Sequence, residues 1–288
     1  MGGLPAGVTA EVWDGTDGVP TGRLDVEVLV VPLIAGQTAR LDAVVRTLPN
    51  LRVMQSLYAG VDWITPTVPE GVLLANTGAA NAKPVAEWVV ATLLNHLREL
   101  PGFATDQQAQ EWRTRLTDTL AYKRVTILGN GPIAQALRAM LVTFGTEVTV
   151  FARTERDGVR AIATLHDALP TTDILVSLTP LTDATRGLVG AAVLAALPDG
   201  AIVVNAARGP VVDTDALLAE LTTRRLHAIL DVTDPEPLPS AHPIWDAPQC
   251  TITPHVAGAT VRYFDNVYPL IRTQLERLMA GEPPLNLV

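Results

Sequence analysis

A single cysteine, Cys250, occurs in the 288 residues, so no internal disulfide can form and none restricts the redox compartment. A lone cysteine of this kind reads as a small core residue. Basic residues are in deficit: 21 Lys and Arg against 30 Asp and Glu give a formal net charge of −9. That sign argues against nucleic acid or an anionic membrane as the main partner. No apolar run approaches the roughly 18 residues that a spanning helix needs. The opening M-G-G-L-P-A-G has neither a basic patch nor a long apolar stretch, so the cytosol is the expected compartment. Short-period repeats and low-complexity linkers are missing as well. What remains is 48% hydrophobic and 18% charged, a composition that folds. The length allows one large domain or two ordinary ones.

From about residue 122 onward, short β-branched runs alternate with helical ones. Strands are expected at 124–128, 147–151, 174–178, 201–205, 228–231 and 251–253, with helices at 133–144, 191–196 and 214–222. Such alternation specifies βαβ units and a mostly parallel sheet. Near-continuous apolar strands such as I-L-V-S-L fit burial on both faces. Before this block, 26–31 and 52–55 read as strands. Long helices at 85–100 and 260–279 bracket the block, so it reads as a domain inserted into another.

The stretch V-T-I-L-G-N-G-P-I-A-Q-A-L lies between a strand and a helix. Gly129, Gly131 and Ala134 fit G-x-G-x-x-G/A, in which the first Gly makes the tight turn and the second lets the backbone approach a pyrophosphate. The third small residue lets helix and strand pack closely. The helix N-terminus then offers free N–H groups and a positive dipole end, and Pro132 suits its first turn. A tight βα turn without ligand is the ordinary alternative. The next strand ends V-F-A-R-T-E-R. Arg153, with Thr154 and Arg156, stands about where an NAD site places an acid on the ribose. A guanidinium matches a 2′-phosphate, so NADP(H) is expected, with NAD(H) as the other possibility.

Three further segments end strands. A-I-V-V-N-A-A-R-G-P carries Arg208; H-A-I-L-D-V-T-D-P-E-P-L-P carries Asp231 and Glu236; T-I-T-P-H-V-A-G carries His255. Ligands of open α/β sheets bind outside the carboxyl ends of strands. Reducing a 2-oxo acid needs a cation on the carboxylate and carbonyl, which Arg208 can be, and a proton donor, which His255 can be. Glu236 would orient the imidazole. Taken singly, each has an ordinary reading: a strand cap for His255, a turn residue for Arg208 or Asp231, a solvated loop charge for Glu236.

Together the motifs resemble the D-2-hydroxyacid dehydrogenase family. L-G-N-G-P-I-A, S-L-T-P-L-T-D-A-T-R-G-L-V, V-N-A-A-R-G-P-V-V-D, L-D-V-T-D-P-E-P-L-P and I-T-P-H-V-A-G-A-T carry the likeness, with Y-A-G-V-D-W-I and K-P-V-A-E-W earlier. The resemblance implies two Rossmann-like α/β domains: a doubly wound dinucleotide-binding domain (99–255) inserted into a flavodoxin-like substrate domain (1–98 and 256–288). It implies Arg208, Glu236 and His255 as the catalytic trio. It puts the main chain of Ala59, Gly60 and Val61 on the substrate carboxylate, beside Arg208 and His255. Cofactor contacts would fall on Gly129, Gly131, Pro132, Ile133, Arg153, Thr154, Arg156, Thr179, Pro180, Ala206, Asp231, His255 and Gly258, with Asp231 near the nicotinamide amide. No metal is implied. A homodimer joined through the cofactor domain is. Arg153 departs from NAD-using members toward glyoxylate and hydroxypyruvate reductases that use NADPH. Thr233 stands where an aromatic is frequent, and the first fifty residues match poorly; Trp63, Asn81 and Lys83 are candidates for the pocket wall. Sister readings are a dehydrogenase of another small anion, such as formate or phosphite, and a non-catalytic nucleotide sensor like the corepressors that resemble this family.

Overall fold

The computed structural model describes residues 3–13, 25–32 and 38–288. The chain divides into two compact units, residues 1–81 with 261–288, and 82–260. The boundaries therefore fall at 81/82 and 260/261, whereas 98/99 and 255/256 were expected. Packing explains the first shift. Helix α2 (Ala82–Leu97) buries Ala86, Val89, Leu93 and Leu97 in the same core as Val125, Leu137 and Leu141 of the second unit.

The second unit is a seven-stranded, wholly parallel sheet. Its strands are β4 (Arg124–Leu128), β5 (Glu147–Ala152), β6 (Arg160–Ala161), β7 (Ile174–Ser177), β8 (Ile202–Asn205), β9 (His227–Leu230) and β10 (Cys250–Ile252), in the order β10-β9-β8-β7-β4-β5-β6. Successive residues face opposite sides. Leu175, Val203 and Ala228 enter one apolar cluster while Val176, Val204 and Ile229 enter the other. Burial on both faces is why these strands are unbroken apolar runs. Helices α4 (Pro132–Thr143), α5 (Ala191–Ala196) and α6 (Thr214–Thr222) make crossovers, and α3 (Leu100–Gln108) follows α2 after Glu99, which takes φ +50°. The chain runs from β4 outward through β5 and β6, then crosses to β7 on the other side. That reversal makes a topological switch point between β4 and β7.

At the amino end of β9, the His227 ring packs edge-on against His96 of α2, centroids 4.6 Å apart. Burial, with His96 alongside, pushes His227 down to about 4, and burial also lowers His96. Cys250 is half-covered, and burial pushes its thiol up to about 12.

In the first unit, the described strands β1 (Val28–Val31), β2 (Val53–Ser56) and β3 (Leu73–Ala75) form a parallel sheet in the order β1-β2-β3, with α1 (Thr38–Val45) packed on it. The closing helix α7 (Tyr263–Met279) is tied to this sheet by a buried amide pair. Gln274 Nε2 donates to Gln55 Oε1 at 2.8 Å and to the Leu285 carbonyl at 2.8 Å, while Leu285 N–H donates to Gln274 Oε1 at 2.7 Å. Among the described residues, no helix is long and apolar enough to cross a membrane.

Candidate active site

The glycine loop sits at the switch point. Gly129 takes φ +108°, and a Cβ there would stand 2.7 Å from the Leu178 carbonyl oxygen. No other residue fits that turn without displacing backbone. At Gly131 a Cβ would meet nothing within 4 Å, so open space faces the second glycine. Gly131 caps α4 with no side-chain acceptor and Pro132 opens its first turn, which leaves the first helical N–H groups pointing outward. Ala134 is 1% exposed, the close-packed third position. Across the loop, the Arg156 guanidinium faces the Asn130 side-chain amide, and with that amide turned over its oxygen accepts from Nε and Nη2, each at 3.2 Å. Arg153 and Thr154 are exposed at the end of β5. At the end of β7, the hydroxyls of Ser177 and Thr179 are buried without a partner. A glycine cradle, open space, free N–H groups and two orphaned hydroxyls at one sheet edge fit a dinucleotide.

The loops after β8, β9 and β10 leave neighbouring strands at this same edge, with adjacent strands about 4.8 Å apart. Arg208 is carried by a turn built on Asn205, which is 1% exposed. Asn205 Nδ2 donates to the Arg208 carbonyl at 3.0 Å, and Ala207 N–H donates to Asn205 Oδ1 at 3.1 Å. The turn lies hard against the next loop: a Cβ on Gly209 would stand 1.9 Å from the Thr233 carbonyl oxygen. Thr233 is itself buried, its hydroxyl donating to the Pro235 carbonyl at 2.9 Å.

Asp231, 3% exposed, organises the histidine loop. Its Oδ1 accepts from Thr253 Oγ1 at 2.5 Å and Val256 N–H at 2.9 Å, its Oδ2 from Ala257 N–H at 2.9 Å. Its carbonyl accepts from His255 N–H at 2.7 Å. His255 is held between these contacts at φ +54°, a conformation that costs a non-glycine residue roughly 1 kcal/mol. Its Nδ1 lies 2.6 Å from Glu236 Oε1, and both side chains are about two-fifths exposed. With Nδ1 engaged by the carboxylate, Nε2 is the nitrogen left to face a ligand.

These features have counterparts elsewhere. The family model for the D-isomer specific 2-hydroxyacid dehydrogenase, NAD binding domain, matches residues 90–257. A glyoxylate/hydroxypyruvate reductase A of Serratia proteamaculans is 32% identical over 253 residues, covering 83% of this chain and 80% of its own. The chain belongs to the D-2-hydroxyacid dehydrogenase family. Among solved structures, this dehydrogenase is similar to the NADPH-dependent glyoxylate/hydroxypyruvate reductase of Sinorhizobium meliloti in complex with NADP and sulfate. The TM-score is 0.80 at 30% identity, over 92% of this chain and 85% of that one. It is also similar to a D-isomer specific 2-hydroxyacid dehydrogenase of Xanthobacter autotrophicus Py2 in complex with NADPH and MES, with TM-score 0.75 at 35% identity over 91% and 83% of the two chains.

The dehydrogenase gathers at one edge of one sheet the glycine loop, Arg153, Thr154 and Arg156, Thr179 and Pro180, Ala206 and Arg208, Asp231 and Glu236, and His255. Gly258 follows in the same segment, within reach of Val85. Ala59, Gly60 and Val61 belong to the first unit. There Asn76 Nδ2 donates to the Ala59 carbonyl at 2.9 Å, and the N–H groups of 59–61 donate to no acceptor among the described residues. Trp63 packs edge-on against Tyr58 at 6.1 Å, and Asn81 is buried rather than lying on an open loop. Lys83 instead lies in the second unit, on a groove between α2 and α4. Sequence reasoning missed Asn205, Gly209 and Arg138. The Arg138 guanidinium lies 3.4 Å from where a Cβ of Gly158 would be, against the loop that carries Arg153 and Arg156. Its spacing of seven residues from Gly131, two helical turns, was the available signal.

Proposed function

We propose that the protein reduces small 2-oxo acids of the glyoxylate and hydroxypyruvate kind to D-2-hydroxy acids, with NADPH preferred and NADH usable. The observation that carries this reading is the 2.6 Å contact of His255 Nδ1 with Glu236 Oε1, at the sheet edge that also bears the glycine loop. NADP(H) would rest on Gly129, Gly131, Pro132, Ile133, Thr179, Pro180, Ala206, Asp231 and Gly258, with its 2′-phosphate on Arg153, Thr154 and Arg156. When bound, it supplies the hydride.

This chain's own residues do the rest. Arg208 holds the substrate carboxylate and polarises the carbonyl through fixed planar donors. The main-chain N–H groups of 59–61 take the carboxylate as well, as the family resemblance implies. His255 donates from Nε2 the proton that the new hydroxyl requires. Glu236 holds Nδ1–H, which fixes the ring and leaves Nε2 for the substrate. Asp231 keeps the histidine loop in place through its three donors. The relatives named as glyoxylate/hydroxypyruvate reductases, and the neighbours solved with NADP or NADPH, support this reading.

We also infer a cytosolic homodimer joined through the cofactor domain. Trp112 and Leu116 are 98% and 99% exposed in that unit, and the apolar α2/α4 groove is lined by Val90, Ala91, Leu94, Ala136 and Met140. Exposed apolar anchors of this size fit a protein partner.

The test is a screen of 2-oxo acids against NADPH and NADH, followed by nicotinamide absorbance. Oxidation of NADPH by glyoxylate or hydroxypyruvate, faster than of NADH, is expected. Tight NADPH binding with no oxidation by any 2-oxo acid would overturn the reading and leave a nucleotide sensor.

A further inference from the structure

Asn130 stands between the two glycines of the loop, and the main chain around it is pinned. Gly129 N–H donates to the Phe151 carbonyl at 2.7 Å, which sets the loop beside the end of β5. Gln135 Nε2 of α4 donates to the Asn130 carbonyl at 3.3 Å. Arg156 is fixed as well. Its N–H and carbonyl exchange hydrogen bonds with those of Val159 at 3.0 and 2.9 Å, and Gly158 closes that turn at φ +68°. The Arg138 guanidinium of α4 lies against the turn at Gly158. Between these two held backbones, the Arg156 guanidinium faces the Asn130 amide. A guanidinium only donates, so the amide must present its oxygen, which then lies 3.2 Å from both Nε and Nη2.

We propose that Asn130 is a positioning residue for the 2′-phosphate of NADP(H), acting through Arg156. The inference rests on the proposed seating of that phosphate at Arg153, Thr154 and Arg156. The amide occupies one edge of the guanidinium and leaves the Nη1 side to a ligand, at an exposed position. An arginine on an exposed loop gives up rotamer freedom when a ligand fixes it, and one already held gives up less. Glu155 and Asp157 flank Arg156, and a guanidinium released from Asn130 can turn to either. Neutrality of the holder matters too. A carboxylate in the place of the amide would hold Arg156 more firmly but offset the charge that the phosphate needs.

The experiment measures dissociation constants for NADPH and NADH, and for adenosine 2′,5′-bisphosphate and adenosine 5′-monophosphate. Nucleotide fluorescence and calorimetry supply them without turnover, in the wild type, Asn130→Ala and Asn130→Asp. The wild type is expected to favour the 2′-phosphorylated member of each pair by about 10-fold or more, the worth of a charge-assisted hydrogen bond. Asn130→Ala should cut that preference by about 3-fold or more, and Asn130→Asp by at least as much. Simple bracing of the loop predicts the reverse for aspartate, a stronger acceptor that would keep or raise the preference. An unaltered preference in Asn130→Ala, or a retained one in Asn130→Asp, overturns the role of Asn130 alone. A wild type without any preference overturns the seating of the phosphate, and the role of Asn130 with it.

Discussion

His255 sits in a backbone conformation that a side chain resists, and its own amide is spent on the Asp231 and Thr253 carbonyls. Nothing in the motif P-H-V-A-G announces that strain; it follows from β9 and β10 being neighbours. Replacing His255 by Ala should lower kcat by about 10²- to 10⁴-fold, the usual worth of a general acid. NADPH affinity, read by nucleotide fluorescence, should change little. A variant with near-normal kcat would remove the proton-donor role. Arg156 provides a second test at this scale, because it braces the glycine loop through Asn130. Arg156→Ala should raise the KM for NADPH several-fold while that for NADH stays nearly level. Equal effects on both nucleotides would mean that the guanidinium only supports the loop. Arg208 and His255 stood out in the sequence because each closely follows a strand-like run, and Glu236 because it lies in the loop after the run that ends at Asp231. Gly209 was not, because its requirement comes from the Thr233 carbonyl, a partner 24 positions away.

Loops and strands show the same division. The inner strands were readable because burial on both faces demands continuous apolar runs, as in β7 and β8. Strand β3 spans three residues and was missed, as was α3, whose Pro101 and Gly102 read as a helix end. Helix α2 was expected from 85, yet it begins at Ala82 with Pro84 inside its first turn, where no intrahelical acceptor is required of it. Two loop substitutions follow. Gly209→Ala would set a methyl 1.9 Å from a carbonyl oxygen, so the Arg208 turn must move. A loss of more than about 2 kcal/mol in stability and a large fall in kcat/KM are expected, read by denaturant melts and initial rates. Asp231→Asn keeps shape but turns one acceptor oxygen into a donor facing amide N–H groups. About 1.5–3 kcal/mol per charged hydrogen bond is at stake. Accelerated amide exchange at 255–257 is the direct readout, and unchanged protection there would refute the loop-holding role.

For the molecule as a whole, acid should be destabilising through the burial of His227, with His96 alongside adding to it. An unfolded histidine takes up a proton below about 6.5, whereas His227 in the fold does so only near 4. Between those values the unfolded chain binds more protons, so stability is full above the upper limit and falls as pH drops through the window. Allowing for solvent around the half-buried ring, His227 contributes on the order of 1–2 kcal/mol to that fall. His227→Gln should flatten the Tm-against-pH curve between pH 6.5 and 4; a parallel curve would exonerate the residue. Association provides the second test. The wild type should sediment at twice the chain mass, and Trp112→Asp should shift it toward the single-chain value.

The amide pair joining Gln274 to Gln55 also bears on the order in which the protein is made. Strand β2 leaves the ribosome before residues 82–260, but the glutamine that meets it sits on α7, which follows them. The nucleotide-binding unit, contiguous from 82 to 260, is complete before that helix emerges. Strand β2 must therefore wait until α7 has followed residues 82–260 off the ribosome.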